Sequence, residues 1–332
     1  MSKKQVTICG VNFGSFYINA LKDSKEYEIN GILSKGSEKS RMIAKELGVG
    51  VFTDSDETDD ADMVIMATRS MITGGKSTAD IKKLLTRGID VLQEQPVHFM
   101  EVQDILKAVK SYDQKYGVNN FYRFLPAVDA FIRYAKKLIA ERHVLRIRMS
   151  CASQVLYPLM DVLCHVVGTV DSFEVKKGFG ENLSVMYGNI NDIPIVLNYY
   201  NEYTEDIDGS LALFFDIKLE TDAGNLILTD PEGELIWQSH LSYSREEKMD
   251  SDEFRNTKPM QYLFKSTTDS YYDRYSSVWP EAMKRSIDYF TKAEADEVKG
   301  TTLKACEMSL SVTNAAGRPC KIEIPYCNGI SL

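Results

Sequence analysis

Up to about residue 122, short apolar runs rich in Val and Ile alternate with segments whose apolar positions recur at helical spacing. The strand patterns are QVTICG (5–10), EINGIL (28–33), MVIMAT (63–68), DVLQE (90–94) and VNNFY (118–122). Helix patterns lie between them, near 14–22, 38–47, 77–87 and 100–116. Short strands separated by helices predict a parallel sheet covered on both faces. The first strand turns through a Gly-bearing loop into a helix, the place where such sheets hold a dinucleotide.

After a helix predicted at 127–142 the pattern changes. RIRMSCA (146–152), FEVKKGF (173–179), IPIVLNYYN (193–201), LALFFDIKLET (211–221) and NLILTD (225–230) follow with few helices between them. Alternation and turn signals such as DAGN and DPEG predict antiparallel pairing. Further helices are expected at 155–167, 280–293 and 296–315, and the Ser- and Tyr-rich stretch 241–278 reads as a long loop. The expected fold is α/β, with an N-terminal Rossmann dinucleotide-binding domain (1–122). A C-terminal α+β domain (123–332) follows, built on a large, mainly antiparallel open sheet.

Charge narrows the range of partners. A formal net charge of -9 over 332 residues argues against nucleic acid and anionic membranes. No run of 18 apolar residues occurs, so no transmembrane helix is expected. The N-terminal MSKKQVTICGV enters a strand directly and lacks an export signal, which together with scattered cysteines predicts a cytoplasmic protein. Cys9, Cys151, Cys164, Cys306, Cys320 and Cys327 form no C-x-x-C pair, and the His residues lack ligand spacing, so no metal is expected. Asp161 and His165 share a helix face inside a largely apolar segment, and read as a satisfied polar pair of the core or a dimer interface.

The candidate chemistry begins at C-G-V-N-F-G, an abbreviated phosphate loop. Gly10 and Gly14 are kept, and Asn12 takes the place of the central glycine. The helix N-terminal N–H groups of Asn12, Phe13 and Gly14 are the expected phosphate donors. Sites that take NAD place an acid at the tip of the second strand; here LSKGSEKSR (33–41) has none. Ser34, Lys35, Gly36, Ser37, Ser40 and Arg41 cluster there instead. Hydroxyl and guanidinium donors suit a 2′-phosphate, so NADPH is the expected cofactor; the competing reading is a helix cap with a solvated first turn.

The layout, closed by the corner Glu94-Gln95-Pro96, resembles the glucose–fructose oxidoreductase/inositol dehydrogenase family. GVNFG (10–14), ILSKGSEKSR (32–41), TRSMITGGKST (68–78), RGIDVLQEQPVH (87–98), VNNFY and QVLYPLMDVL (154–163) resemble more narrowly the thiazolinyl imine reductases of siderophore biosynthesis, the yersiniabactin and pyochelin type. The likeness continues faintly through 219–239. It implies an NADPH-dependent reductase acting on a thiazoline, a cyclic imine, to give the thiazolidine. The substrate would ride on the phosphopantetheine arm of a peptide-synthetase carrier domain, in nonribosomal peptide synthesis. A homodimer is also implied.

Where the sugar dehydrogenases place a proton-handling Lys in an E-K-P corner, this chain has Gln95, and where the imine reductases have E-H-P-L-H it keeps only His98. Gln95 exchanges no proton near neutral pH. Oxidising an alcohol needs a base, whereas reducing an imine needs a proton delivered to nitrogen. By the resemblance, Tyr122 is the first candidate acid and His98 the second; otherwise Tyr122 is a hinge aromatic and His98 a helix cap. Thr68, Arg69 and Ser70 are expected to line the nicotinamide or carrier-arm side, with Arg69 otherwise a structural ion-pair partner, and Glu94 and Gln95 are counted with the cofactor-binding residues. Two alternatives stay open: an NADP-dependent sugar or cyclitol dehydrogenase, and a non-catalytic NADP-binding scaffold.

Overall fold

A computed structural model describes residues 2–58, 60–68, 76–109, 114–181, 183–203, 211–240 and 252–323. The chain divides into two compact units: Met1–Leu125 with Thr268–Leu310, and Pro126–Thr267 with Ser311–Leu332.

In the first unit the chain runs β1 (Lys4–Cys9), α1 (Gly14–Leu21), β2 (Tyr27–Leu33), α2 (Glu38–Leu47), β3 (Gly50–Phe52) and β4 (Met63–Met66). It continues through α3 (Lys76–Thr86), β5 (Asp90–Gln93), α4 (Phe99–Val109) and β6 (Tyr116–Val118). The strands are parallel, in the order β3-β2-β1-β4-β5-β6. Val6, Ile8, Ile32, Val64, Ile65 and Val91 are fully buried, as expected when helices cover both faces. The order reverses between β1 and β4, so the carboxyl edge there is the topological switch point of a Rossmann sheet.

Hydrogen bonding extends one residue beyond the strand ends. Gly10 N–H donates to Leu33 O, Ala67 N–H to Cys9 O, Glu94 N–H to Met66 O and Asn119 N–H to Gln93 O, at 3.0, 2.9, 2.9 and 2.7 Å. Gly10, Ala67, Glu94 and Asn119 are thereby aligned in one row along that edge.

Three sequence expectations need correction in this unit. β3 is only three residues long and follows a left-handed helix cap at Gly48, leaving too little chain for a period to show. The strand expected at 118–122 is β6 followed by a 3-10 turn, Phe121–Phe124. Phe121 and Tyr122 are both buried in that turn. Finally, the helix Trp279–Lys292 and much of Ala295–Ala316 belong to the first unit, although sequence position put them with the second half. Lys115 Nζ donates to the carbonyls of Phe290, Thr291 and Ala293 at 3.3, 2.8 and 2.8 Å, satisfying the C-terminal end of the first of these helices. Gly117 admits Val298 and Phe290 to close approach: a Cβ there would lie 2.6 Å from Val298 Cγ1.

The second unit begins with α5 (Pro126–Glu141), β7 (Val144–Ala152), α6 (Leu156–Val167), β8 (Phe173–Phe179), β9 (Leu183–Ile190) and β10 (Ile193–Tyr200). β11 (Glu202–Tyr203), β12 (Phe215–Thr221), β13 (Gly224–Leu228), β14 (Leu235–Ser239) and β15 (Met260–Phe264) complete its strands before the chain leaves for the first unit. The order of its large sheet is β15-β14-β13-β12-β7-β10-β9-β8, antiparallel except where β7 meets β10. Ile147, Met149, Ile195, Leu197, Ile217 and Leu219 are buried at every second position. Within β12, Lys218 and Glu220 alternate with the core residues Ile217 and Leu219, and Arg148 pairs with the buried Glu220 at 2.9 Å.

The stretch 241–278 is more regular than a long loop. Its residues 252–256 are helical, β15 supplies a sheet edge, and 271–278 wind into the Trp279–Lys292 helix; 241–251 lie outside the described residues. No helix among the described residues is long and apolar enough to cross a membrane.

Candidate nucleotide site and its polar floor

Gly10 has φ +88, and a Cβ there would lie 2.9 Å from Ala67 O and 3.0 Å from Thr68 Cγ2. Glycine is therefore required both for the turn and for the close approach of β4. Gly14 serves packing instead, since a Cβ would meet Ile8 Cγ2 at 3.1 Å. α1 starts with no side-chain cap and no acid in its first turn. The N–H groups of Ser15 and Phe16 bond back to the carbonyls of Asn12 and Phe13 at 3.4 and 3.0 Å. No side chain caps those ahead of them, which point along the helix dipole in the electrostatic arrangement that accepts a phosphate. Asn12 is exposed; its Oδ1 accepts from Lys39 Nζ at 3.0 Å, and its backbone carbonyl accepts from Ser15 Oγ at 2.7 Å.

The turn after β2 sorts the candidate phosphate donors into two groups. Ser37 is the N-cap of α2, accepting from Ser40 N–H at 3.3 Å, while the buried Ser40 hydroxyl donates to Ser37 O at 2.7 Å. This pair caps the helix, so the capping reading holds for Ser37 and Ser40. Ser34 Oγ accepts from Gly36 N–H at 3.2 Å. Gly36 has φ +74, and the Arg41 guanidinium packs over it, with Nη2 3.5 Å from where a Cβ would be. Lys35 and Arg41 are exposed, and no carboxylate stands at the strand tip.

At the end of β5 the Glu94 carboxylate is 5% exposed. Its Oε2 accepts from the Tyr17 hydroxyl of α1 and from Asn119 Nδ2, the latter at 3.3 Å. Burial pushes the Glu94 carboxyl up to about 7, against the opposing hydrogen bonds from Tyr17, Asn119 and the Gln95 backbone. Among the described residues Glu94 Oε1, Gln95 Oε1 and Gln93 Nε2 are buried without a hydrogen-bond partner. Buried orphans of this kind at a sheet's carboxyl edge mark a place where a polar ligand completes the set.

His98 lies beyond the cis Gln95–Pro96 peptide. Its Nδ1 accepts from Met100 N–H at 3.2 Å, so it caps α4 and carries its proton on Nε2. Tyr122 lies in an aromatic cluster rather than at a strand tip. Its ring stacks on Phe121 at 4.3 Å and meets the edge of Trp279 at 6.0 Å. Phe16 joins the same Trp279 at 5.6 Å and Phe13 at 5.1 Å, so the cluster reaches the phosphate loop. Thr68 Oγ1 lies 3.3 Å from Ser77 Oγ, and Arg69 and Ser70 fall outside the described residues.

Sequence reasoning missed Tyr17 and Asn119. Asp161 and His165 approach each other at 3.8 Å along α6 in the second unit. Among the described residues no group of three His, Cys, Asp or Glu side chains is disposed to hold a metal, and Cys9, Cys151, Cys164, Cys306 and Cys320 are free thiols.

The glycine turn, the uncapped helix and the orphaned amides fit a dinucleotide with a polar nicotinamide end. Residues 4–120 match a family described as an oxidoreductase family with an NAD-binding Rossmann fold. Over nearly the whole chain the fold is similar to that of a dehydrogenase from Chromobacterium violaceum, with TM-score 0.70 and 13% identity, covering 95% of this chain and 96% of that one. It is also similar to an oxidoreductase from Agrobacterium radiobacter in complex with NAD+, L-tartaric acid and magnesium (TM-score 0.69, 11% identity, 95% and 96% covered). A third is scyllo-inositol dehydrogenase from Lactobacillus casei with bound NAD(H) and scyllo-inositol (TM-score 0.64, 14% identity, 95% and 97% covered). At such identities the likeness is one of fold. No curated protein matches the sequence.

Proposed function

We propose that the protein, whose residues 4–120 match an oxidoreductase family with an NAD-binding Rossmann fold, is an NADPH-dependent reductase of a cyclic imine, a thiazoline reduced to a thiazolidine. The observation that carries this reading is Gln95: the corner after β5 has the Glu94 and Pro96 of a dehydrogenase, but no side chain between them that takes a proton from an alcohol. The stretches that resemble thiazolinyl imine reductases are the ground for the substrate class, its carrier-domain thioester and the homodimer.

NADPH, when bound, supplies the hydride. The chain's own residues do the remainder. The N–H groups at Asn12, Phe13 and Gly14 hold the phosphates at the uncapped end of α1. Tyr17 and Asn119 fix Glu94 as a rigid polar floor beside Gln95. The Tyr122 hydroxyl donates the proton that the imine nitrogen must receive. His98 is the weaker donor, because a second proton on its Nδ1 breaks the α4 cap.

A sugar or cyclitol dehydrogenase is the second reading, favoured by fold neighbours such as the L. casei scyllo-inositol dehydrogenase. Cofactor choice tests the nucleotide part of both readings. Calorimetric titration is expected to give at least about tenfold tighter binding of NADPH than of NADH, the effect of one or two charge-assisted hydrogen bonds to the 2′-phosphate. Equal affinities would overturn the assignment of residues 33–41.

A further inference from the structure

We propose that the exposed face of α5 is a basic docking surface for the carrier domain that presents the substrate, and that it meets acidic side chains on that partner. This inference rests on the carrier-bound substrate of the reading above and names where the carrier is held.

The chain as a whole is acidic, with a formal net charge of -9, yet the stretch from Ala130 to His143 runs the other way. It holds Arg133, Lys136, Lys137 and Arg142, with Glu141 as its one acid. α5 turns Phe131, Ile132 and Ala135 inward. Spacings of three and four residues then gather Arg133, Lys136 and Lys137 on the outward face, where all are exposed. Arg142 follows at the helix end and is exposed as well.

Folding does not account for this cluster. Like charges three and four residues apart weaken a helix, so Arg133 with Lys136 and Lys137 works against α5. Cations in a last turn complement the helix dipole, but the last turn of α5 holds no basic side chain. Among the described residues Arg133, Lys136, Lys137 and Arg142 form no ion pair, neither with Asp129 nor with Glu141. The Arg133 guanidinium lies 5.9 Å from the ring of Tyr134, which is itself 37% exposed. Arg146 and Arg148 on the following strand differ, since both pair with Glu220.

Unpaired cations grouped on one exposed face select a partner by charge. Screening confines their field to about 8 Å at physiological ionic strength. A long polyanion or an anionic bilayer extends past that range and meets the acidic remainder of the chain, whereas a small domain covers the cluster alone. Charge complementarity therefore favours a compact protein with an acidic surface, and a substrate tethered to a carrier domain requires such a protein to dock.

Lys136→Glu/Lys137→Glu tests the surface, since both side chains are exposed and neither belongs to the nucleotide site. Two substrates are compared: the thiazolinyl thioester on its carrier domain, and the same thioester as a small free molecule. The variant is expected to lower kcat/KM for the carrier-bound substrate about tenfold or more at low salt, and to leave the free thioester within about twofold. The difference is expected to shrink as added salt screens the cluster. Calorimetric titration with the unloaded carrier domain is expected to show weakened binding, a readout free of the chemistry. Lys136→Arg/Lys137→Arg keeps the charge and is expected to behave as the parent. Carrier binding and turnover unchanged by the charge reversal would overturn the proposal, as would equal losses on both substrates. Binding of the parent to RNA or phosphatidylserine vesicles through these lysines, with none to the carrier, would overturn it in favour of a polyanion. Failure of the parent to reduce the free thioester would remove the imine-reductase reading and this proposal together.

Discussion

Tyr122→Phe is expected to slow turnover of a thiazolinyl thioester by about 10²-fold, the loss typical of a positioned acid, while NADPH affinity stays within about twofold. The substitution keeps the ring, and with it the stack on Phe121 at 4.3 Å and the edge contact with Trp279 at 6.0 Å. Only the hydroxyl is removed, so an effect on kcat without an effect on cofactor binding reports on the proton. His98→Asn is the natural comparison. Asn is itself a good N-cap, so α4 keeps its cap while the imidazole is lost. Its expected effect is smaller, because the structure commits the Nδ1 of His98 to Met100. An inverted order of the two effects would move the acid role to His98. If both variants and the double variant stay within a few-fold of the parent, side-chain acid catalysis is refuted. Orientation of the hydride transfer would then be the protein's main contribution.

Glu94→Gln is expected to stabilise the fold above neutral pH. The Glu94 carboxyl is raised to about 7 in the folded protein, chiefly by burial, from an unfolded value of 4.5. A carboxyl raised in this way binds its proton more tightly when folded. Its favourable contribution is therefore complete below about pH 4.5 and is lost as pH rises through about 7. Above that, the parent holds a charge inside the unit. With each pKa unit equivalent to about 1.4 kcal/mol, the Gln variant is expected to gain up to about 3 kcal/mol at about pH 8 and almost nothing near pH 4.

Gln mimics the neutral acid closely: one oxygen still accepts from Tyr17 and Asn119, and the unpartnered Oε1 position becomes the amide nitrogen. Urea unfolding midpoints of both proteins across this pH range measure the difference directly. Parallel pH dependences would show that Glu94 is not the buried titrating group described here.

The parallel sheet and the glycine turn at its switch point were legible because their causes are local. Buried Val and Ile runs, and glycines at a strand–helix junction, carry the pattern in consecutive residues. The polar floor was not legible. Tyr17, Glu94 and Asn119 meet across 77 and 102 positions, and a Tyr on an amphipathic helix has no local sign that its hydroxyl reaches a carboxylate.

The serines of the turn after β2 show the converse. Their residue types suit phosphate binding, yet Ser37 and Ser40 satisfy each other and the backbone, a competition that sequence spacing alone does not resolve. Strands β9, β14 and β15 were missed because Ser, Asn and Gly interrupt them or because they are short. The helix Trp279–Lys292 joins the first unit through Lys115 and through Tyr27, whose hydroxyl donates to Asp288 at 2.8 Å, contacts that sequence position does not suggest.

The central claim, reduction of a cyclic imine by NADPH, is tested most directly by following NADPH absorbance and product mass together. The purified protein is supplied with a thiazolinyl thioester on a peptide-synthetase carrier domain and, in parallel, with cyclitols or sugars plus oxidised cofactor. The predicted result is one NADPH consumed per thiazoline converted to thiazolidine, with the added hydride and proton accounting for the mass gain, and no turnover of the polyols. Oxidation of a cyclitol or sugar with no conversion of the thiazoline would contradict the claim and establish the dehydrogenase reading. Tight NADPH binding with turnover of neither substrate class would contradict it as well, in favour of a nucleotide-binding scaffold.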